Sequence, residues 1–334
     1  MTTRQSSSPR PMNVFVRPGS NAELALRRYA AREDVPPKEP PPRSEVIAPG
    51  FTQRKSLNLI DHDGKVIRDL VYTNFFVGES AWDPDDIQLI DKNLEKAMTD
   101  QHLNNVLIQY FRGAANITST FRPSSRLSVK PATISQPEVE DLLTGLHSAK
   151  KLAGFDFSKT VFNFMLPKGT VLTIDDGSGD TRGKGRAKSH AAPVEEESSS
   201  LEGLGGFHGS VHIGAETLYY AVGVFSEGTN GIVAFDEPWK NVVATFYHEL
   251  VEARTDADVE DNHVAWVNNE RPGEEIGDIP MTLAGDNLGK VMKEVPLADG
   301  SGTVPIQLMW SNAVGGPEGP IAKPHAADTH VVHA

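Results

Sequence analysis

Phe246-Tyr247-His248-Glu249-Leu250-Val251-Glu252-Ala253-Arg254-Thr255-Asp256 is the stretch on which the reading of this chain turns. No Gly or Pro interrupts Lys240 to Thr255, and Val242, Val243, Phe246, Leu250, Val251 and Ala253 supply an apolar side. These features predict a largely buried helix from near Glu237-Pro238-Trp239 to about Thr255. Residues four apart lie one above the other on a helix, so His248 and Glu252 share a face, with Glu249 beside them.

That pairing has a chemical meaning. H-E-x-x-E follows the logic of the H-E-x-x-H zinc hydrolases with the second histidine replaced by glutamate. His248 and Glu252 would ligate Zn2+, and Glu249 would act as general base on a metal-activated water. Catalytic zinc needs a third protein ligand. Asp256 lies about 12 Å beyond His248 along an unbroken helix, at ~1.5 Å per residue, and is better suited to ending it. Glu275 and Asp278, in Glu274-Glu275-Ile276-Gly277-Asp278, are the leading candidates, and His208, His212 and His263 are further ones. The rival reading, a solvated helix face with i, i+4 charges, is weakened by the apolar flanks and the acidic and His-bearing segments on both sides.

Composition narrows the classes. A net charge of −13, from 45 acidic and 32 basic side chains, argues against nucleic acid as the main partner. No apolar run approaches the roughly 20 residues a membrane span requires. With 0 cysteines, disulfides, thiolate zinc sites and cysteine nucleophiles are excluded, so zinc would need His, Asp or Glu. Met1 to Arg10 has no apolar core and is not a signal peptide, which favours the cytoplasm or non-classical export. Oligomeric state is not legible.

The expected organisation is a flexible Pro-rich arm over 1–55, a single domain over 56–312 and a loose tail over 313–334. Residues 175–203 carry an acidic-glycine run, a basic patch (Arg182, Lys184, Arg186, Lys188), three glutamates and three serines, and read as a disordered insertion. Asp175 to Asp180 lacks the spacing of a calcium loop. Strands are expected over Val66–Phe76, Val106–Phe111, Thr160–Leu166, Leu218–Phe225 and Val304–Trp310, with helices opening at Asp83-Pro84 and Ser135-Gln136-Pro137-Glu138. Their alternation predicts an α+β domain with a mixed sheet flanked by helices.

Between about Val66 and Trp310 the chain resembles the phosphate-induced, Exordium-like family and its bacterial relatives. The matching order is Leu70-Val71-Tyr72, Trp82-Asp83-Pro84, Val106 to Phe111, Thr160 to Phe164, Gly206-Phe207-His208-Gly209 and Tyr219 to Val222. The bacterial pattern H-E-x-x-E-A-x-T-D-P followed by E-I-G-D is matched by His248 to Asp256 and Glu275 to Asp278, except that Ala257 replaces the proline. Pro280 falls where a cysteine is common. The resemblance implies a zincin-like metallopeptidase fold, with the motif on an active-site helix and a peptide or protein substrate. A glutamate on a following helix is the third ligand in thermolysin-like enzymes. His208 matches a G-F-H motif that even non-metal members keep, which suggests a catalytic or cleft role. Tyr219 is a candidate to hydrogen-bond the oxyanion. Plant members lack the metal motif, so a non-catalytic binding module on the same fold is the alternative. Relatives are typically secreted, unlike what the N-terminus here suggests.

Overall fold

The computed structural model describes residues 14–20, 23, 47–174, 199–259, 263–269 and 274–325. The strands in chain order are β1 (Val14–Val16), β2 (Ile60–Asp61), β3 (Asp69–Val77), β4 (Thr118–Leu127), β5 (Thr133–Ser135), β6 (Thr160–Leu166) and β7 (Val171–Thr173). They continue with β8 (Leu204–Ile213), β9 (Glu216–Val224), β10 (Trp266–Val267), β11 (Met292–Pro296), β12 (Thr303–Gln307), β13 (Met309–Ser311) and β14 (Gly316–Glu318). The α-helices are α1 (Pro84–Thr99), α2 (Gln101–Leu107), α3 (Gln136–Ser148), α4 (Pro238–Thr255) and α5 (Asp278–Ala284).

A mixed sheet organises the chain, in the order β1-β8-β9-β6-β3-β4. Strands β9, β6, β3 and β4 run parallel to one another, whereas β8 is antiparallel to both β9 and β1. Side chains alternate between two cores, as the period of a strand demands. Tyr72, Phe76, Val161, Met165, Tyr219 and Ala221 face α1 and α4. Phe75, Val77, Phe162, Phe164, Tyr220 and Val222 face α3. The α+β expectation agrees with this arrangement.

Local chemistry explains the helix starts. Asp83 accepts the Asp85 N–H, Pro84 occupies the first turn, and Ile90, Leu94, Ala97 and Met98 are buried. Ser135 and Glu138 form a reciprocal capping box at α3. Helix α4 has Pro238 in its first turn and is buried on nearly every side from Asn241 to Thr255. Arg254, near its end, is fully buried, donates to the carbonyls of Arg68 (2.6 Å) and Thr118 (3.1 Å), and lies over the Phe111 ring.

Five expectations are corrected. Val106–Phe111 is not a strand but the end of α2 and a 3-10 turn, Ile108–Tyr110. A short apolar run does not carry a periodicity that separates the two, and Asp100, capping Leu103 N–H, sets the helix. The arm is not wholly loose: β1 joins the main sheet, Phe15 is fully buried, and Ala48 N–H donates to the Pro317 carbonyl. The start of the tail is ordered, because β14 pairs with β13 and buries Glu318, which holds His325 at 2.8 Å. Val304–Trp310 is two strands separated at Leu308, whose N–H turns to the Val291 carbonyl. Of the proposed insertion, 199–203 is ordered, with Ser200–Glu202 a 3-10 turn, while 175–198, including the basic patch, lies outside the described residues. No helix among the described residues is long and apolar enough to cross a membrane.

Leu250 is fully buried between the sheet and its own helix. Leu250→Ala should therefore cost about 2–5 kcal/mol in chemical denaturation. Val233→Ala, at a side chain 43% exposed, should stay within about 0.5 kcal/mol of wild type.

Candidate metal centre

Helix α4 turns His248, Glu249 and Glu252 inward, and all three have 0% exposure. Strand β8 contributes His208, the segment leading into α5 contributes Glu275 and Gly277, and β12 contributes Gln307. Four buried acids (Glu249, Glu252, Asp256 and Glu275) and the partly exposed Asp278 thus crowd around two imidazoles.

The environment fixes which atoms of His248 and Glu252 are free to bind. Gln307 Nε2 donates to the Gly277 carbonyl at 2.6 Å, which aims Gln307 Oε1 at His248 Nδ1, 3.0 Å away. An amide oxygen only accepts, so Nδ1 carries a proton and Nε2 is the nitrogen left to face Glu252 or an ion. Gly277 N–H donates to Glu252 Oε1 at 3.0 Å, leaving Oε2. His248 Nε2 and Glu252 Oε2 then face each other at 3.0 Å, and neither has a hydrogen-bond partner. Residue 277 must be glycine: a Cβ there would lie 2.3 Å from His248 Nδ1 and 2.9 Å from Glu252 Oε1.

His208 is prepared in the same way. Its Nε2 lies 3.1 Å from the Asp256 carbonyl oxygen, which requires the proton on Nε2. Nδ1 is left as an unpartnered lone pair, 3.7 Å from both Glu249 Oε2 and Glu252 Oε2. Both Glu249 oxygens are also unpartnered. Donors sharing one tetrahedral ion at ~2.1 Å stand about 3.4 Å apart, and the 3.0 and 3.7 Å separations bracket that value. Two groups of buried side chains that could hold an ion, His248/Glu249/Glu252 and His208/Glu252/Glu275, share Glu252.

Burial and mutual repulsion dominate the electrostatics. Burial pushes Glu249 up to about 8, helped by the Glu252 charge. Burial likewise raises Glu275 and Asp278 well above the usual carboxylate range, with the Glu252 charge next in importance for each. Asp256 rises to about 6, chiefly from burial, while Ala265 N–H donating to its Oδ1 opposes the rise. Glu252 is also desolvated, but the neighbouring His248 charge overrides this and holds it below its ordinary value. Burial pulls His248 down, and Glu252 and Asp278 outweigh that and leave it raised.

His248, Glu249 and Glu252 converge. Asp278 Oδ1 approaches His248 Nε2 at 3.7 Å, and Glu275 Oε2 approaches His208 Nε2 at the same distance. The two acids of the E-I-G-D segment therefore flank opposite sides of the centre. His212 and His263 lie elsewhere: they group with Asp258 near the surface, where His212 Nε2 is 2.9 Å from Asp258 Oδ1. Tyr219 is buried, and its hydroxyl is pushed up to about 12 by burial and then by Asp258, so it borders that second group. Tyr220 points to the other face and donates to Glu140 at 3.0 Å. Gln307 and the backbone of Gly277 carried no motif signal, although the glycine of E-I-G-D was visible.

No family model, no curated protein and no solved structure matches this chain. The family resemblance rests on the quoted motifs.

Two outcomes follow for metal-free protein. The acids raised in the folded state hold protons that the unfolded chain releases nearer pH 4. Folding therefore becomes progressively less favourable as pH climbs through about 6 (Asp256) to about 8 (Glu249). The melting temperature of chelator-treated protein should be higher at pH 5.5 than at pH 8; a flat profile contradicts this. Separately, Glu275→Gln removes a carboxyl that must take up a proton to be buried, so it should raise the melting temperature of the metal-free protein at neutral pH, as read by calorimetry.

Proposed function

We propose that this protein is a zinc-dependent hydrolase, most plainly a peptidase, with a zincin-like arrangement of motif helix and mixed sheet. One observation carries the reading: Glu252 Oε2, buried and unpartnered, lies between two buried, unpartnered imidazole nitrogens, His248 Nε2 at 3.0 Å and His208 Nδ1 at 3.7 Å. Two imidazoles and a carboxylate are a donor set that suits zinc. In this assignment His208 is the third ligand, and Glu275 and Asp278 support it from either side. Zinc in such a site supplies Lewis acidity to a water and to a substrate carbonyl.

The chain's own residues do the rest. Glu249, one residue after His248 and with both oxygens unpartnered, takes a proton from water and returns it to the leaving amine. Its raised affinity for protons suits a base that must hold one through the reaction. Gln307 and Gly277 keep His248 and Glu252 from rotating away. Asp256 does the same for His208 through its carbonyl.

A second reading, a metal-holding binding module without turnover, is favoured by the complete burial of the cluster. Elemental analysis and peptide-library turnover separate the two. Wild type should hold one zinc per chain, and His248→Ala and His208→Ala should lose it. Glu275→Gln should keep zinc if His208 is the third ligand. Glu249→Gln should keep zinc while turnover falls by about 10²–10⁴. Absence of stoichiometric zinc sinks the hydrolase; zinc with no turnover in wild type selects the binding module.

A further inference from the structure

Without β1, β8 would be an edge strand with unpaired backbone N–H and C=O groups. Such an edge takes up extended peptide by strand addition. In this chain the edge is covered by three residues from near the N-terminus, antiparallel to β8, with Val14 opposite Phe207, Phe15 opposite Gly206 and Val16 opposite Leu204. Arg17 N–H continues the pairing to the Gly203 carbonyl at 2.6 Å.

The position of Phe15 is the informative part. Its ring centroid is 4.2 Å from that of His248. Its partner Gly206 borders the general base: a Cβ on residue 206 would lie 3.2 Å from Glu249 Oε1. Phe15 therefore occupies the strand position directly over the proposed base and a proposed ligand. Its side chain belongs to neither main core. It sits in a separate apolar cluster with Ile232, Ala244, Met281, Val291 and Met292. Gly205 forms part of the wall, since a Cβ there would lie 2.5 Å from the Phe15 ring. A side-chain pocket and a backbone-pairing edge thus meet beside the buried cluster, and both are filled by the same short segment.

We propose that the outer edge of β8 is the peptide-binding edge of this centre, that the Phe15 pocket is a subsite for one aromatic or long apolar side chain, and that residues 14–16 are its resident occupant, which a substrate peptide must displace. The catalytic meaning of that position rests on the hydrolase reading; the peptide edge itself does not. Backbone pairing is indifferent to which chain supplies it, and selectivity falls on the residue in the pocket.

The test uses the full chain and a fluorescent peptide of residues 11–19, Pro-Met-Asn-Val-Phe-Val-Arg-Pro-Gly. A tethered segment of about 1 μM intrinsic affinity, competing at an effective concentration on the order of 1 mM, should make wild type bind the peptide about 1,000-fold more weakly than a variant whose segment is released. Phe15→Asp should release it, exposing the amides of 204–207 to hydrogen exchange, and added peptide should restore their protection. The same peptide with Asp in place of Phe should not bind. If Phe15→Asp fails to fold, Phe15→Ala decides by the same readouts on a smaller scale. Folded variants that keep β8 protected, or that expose it without binding the peptide, overturn the proposal. Failure of both variants to fold also overturns it, because β1 is then a structural strand. Peptide binding without zinc or turnover would leave the edge standing and remove the hydrolase. Zinc-dependent turnover that the peptide does not inhibit would do the reverse.

Discussion

The arrangement of this protein depends on keeping ionisable groups out of water without pairing them to a fixed cation. Glu249, Glu252, Glu275 and Asp256 sit at or near zero exposure, and their company is each other and two imidazoles. The nearest buried guanidinium, Arg254, is committed to the carbonyls of Arg68 and Thr118. A buried unpaired carboxylate is strongly unfavourable and relieves itself by holding a proton. A sequence that keeps several such groups around two oriented histidine lone pairs sets aside stability at one place, as functional sites commonly do.

Position along α4 adds to this. His248, Glu249 and Glu252 lie in its last two turns, where the aligned peptide dipoles present their negative end. The dipole disfavours carboxylates there and favours a cation. Gly277 and Gln307 then convert a general attraction into a geometry, since each uses up one heteroatom of a candidate ligand and leaves the other. The distant segments of E-I-G-D and β12 are therefore as much part of the centre as the helix that names it.

Much of this was legible in the sequence, and the rest was hidden for physical reasons. The helix carrying His248 showed itself through an uninterrupted apolar pattern, and α1 and α3 through their caps at Asp83 and Ser135. Strand β6 was plain because a strand buried on both faces is continuously apolar. Val106–Phe111 misled because its length and composition suit a strand or a helix equally. Strand β1 was invisible because three residues in a Pro-rich, polar context carry no periodicity, and only the long-range partner β8 makes them a strand. At the centre, the helix side was readable and the orientation was not. Whether His248 presents Nδ1 or Nε2 depends on Gln307, and His208 on the Asp256 carbonyl; neither relation leaves a spacing in the chain.

The pairing of β1 with β8 joins residues near one end of the chain to a strand roughly two hundred residues later. Contacts between such remote segments close late in folding, because the entropy of the intervening loop must be overcome first. On that argument the wall that bounds one side of the buried cluster would arrive after the rest of the sheet. An ion held there would be caged by that closure, and its exchange with solvent would be limited by local opening of three residues and not by the strength of its bonds. Affinity and residence time would then be set by different parts of the molecule: α4 and its partners govern the first, and a short N-terminal strand governs the second.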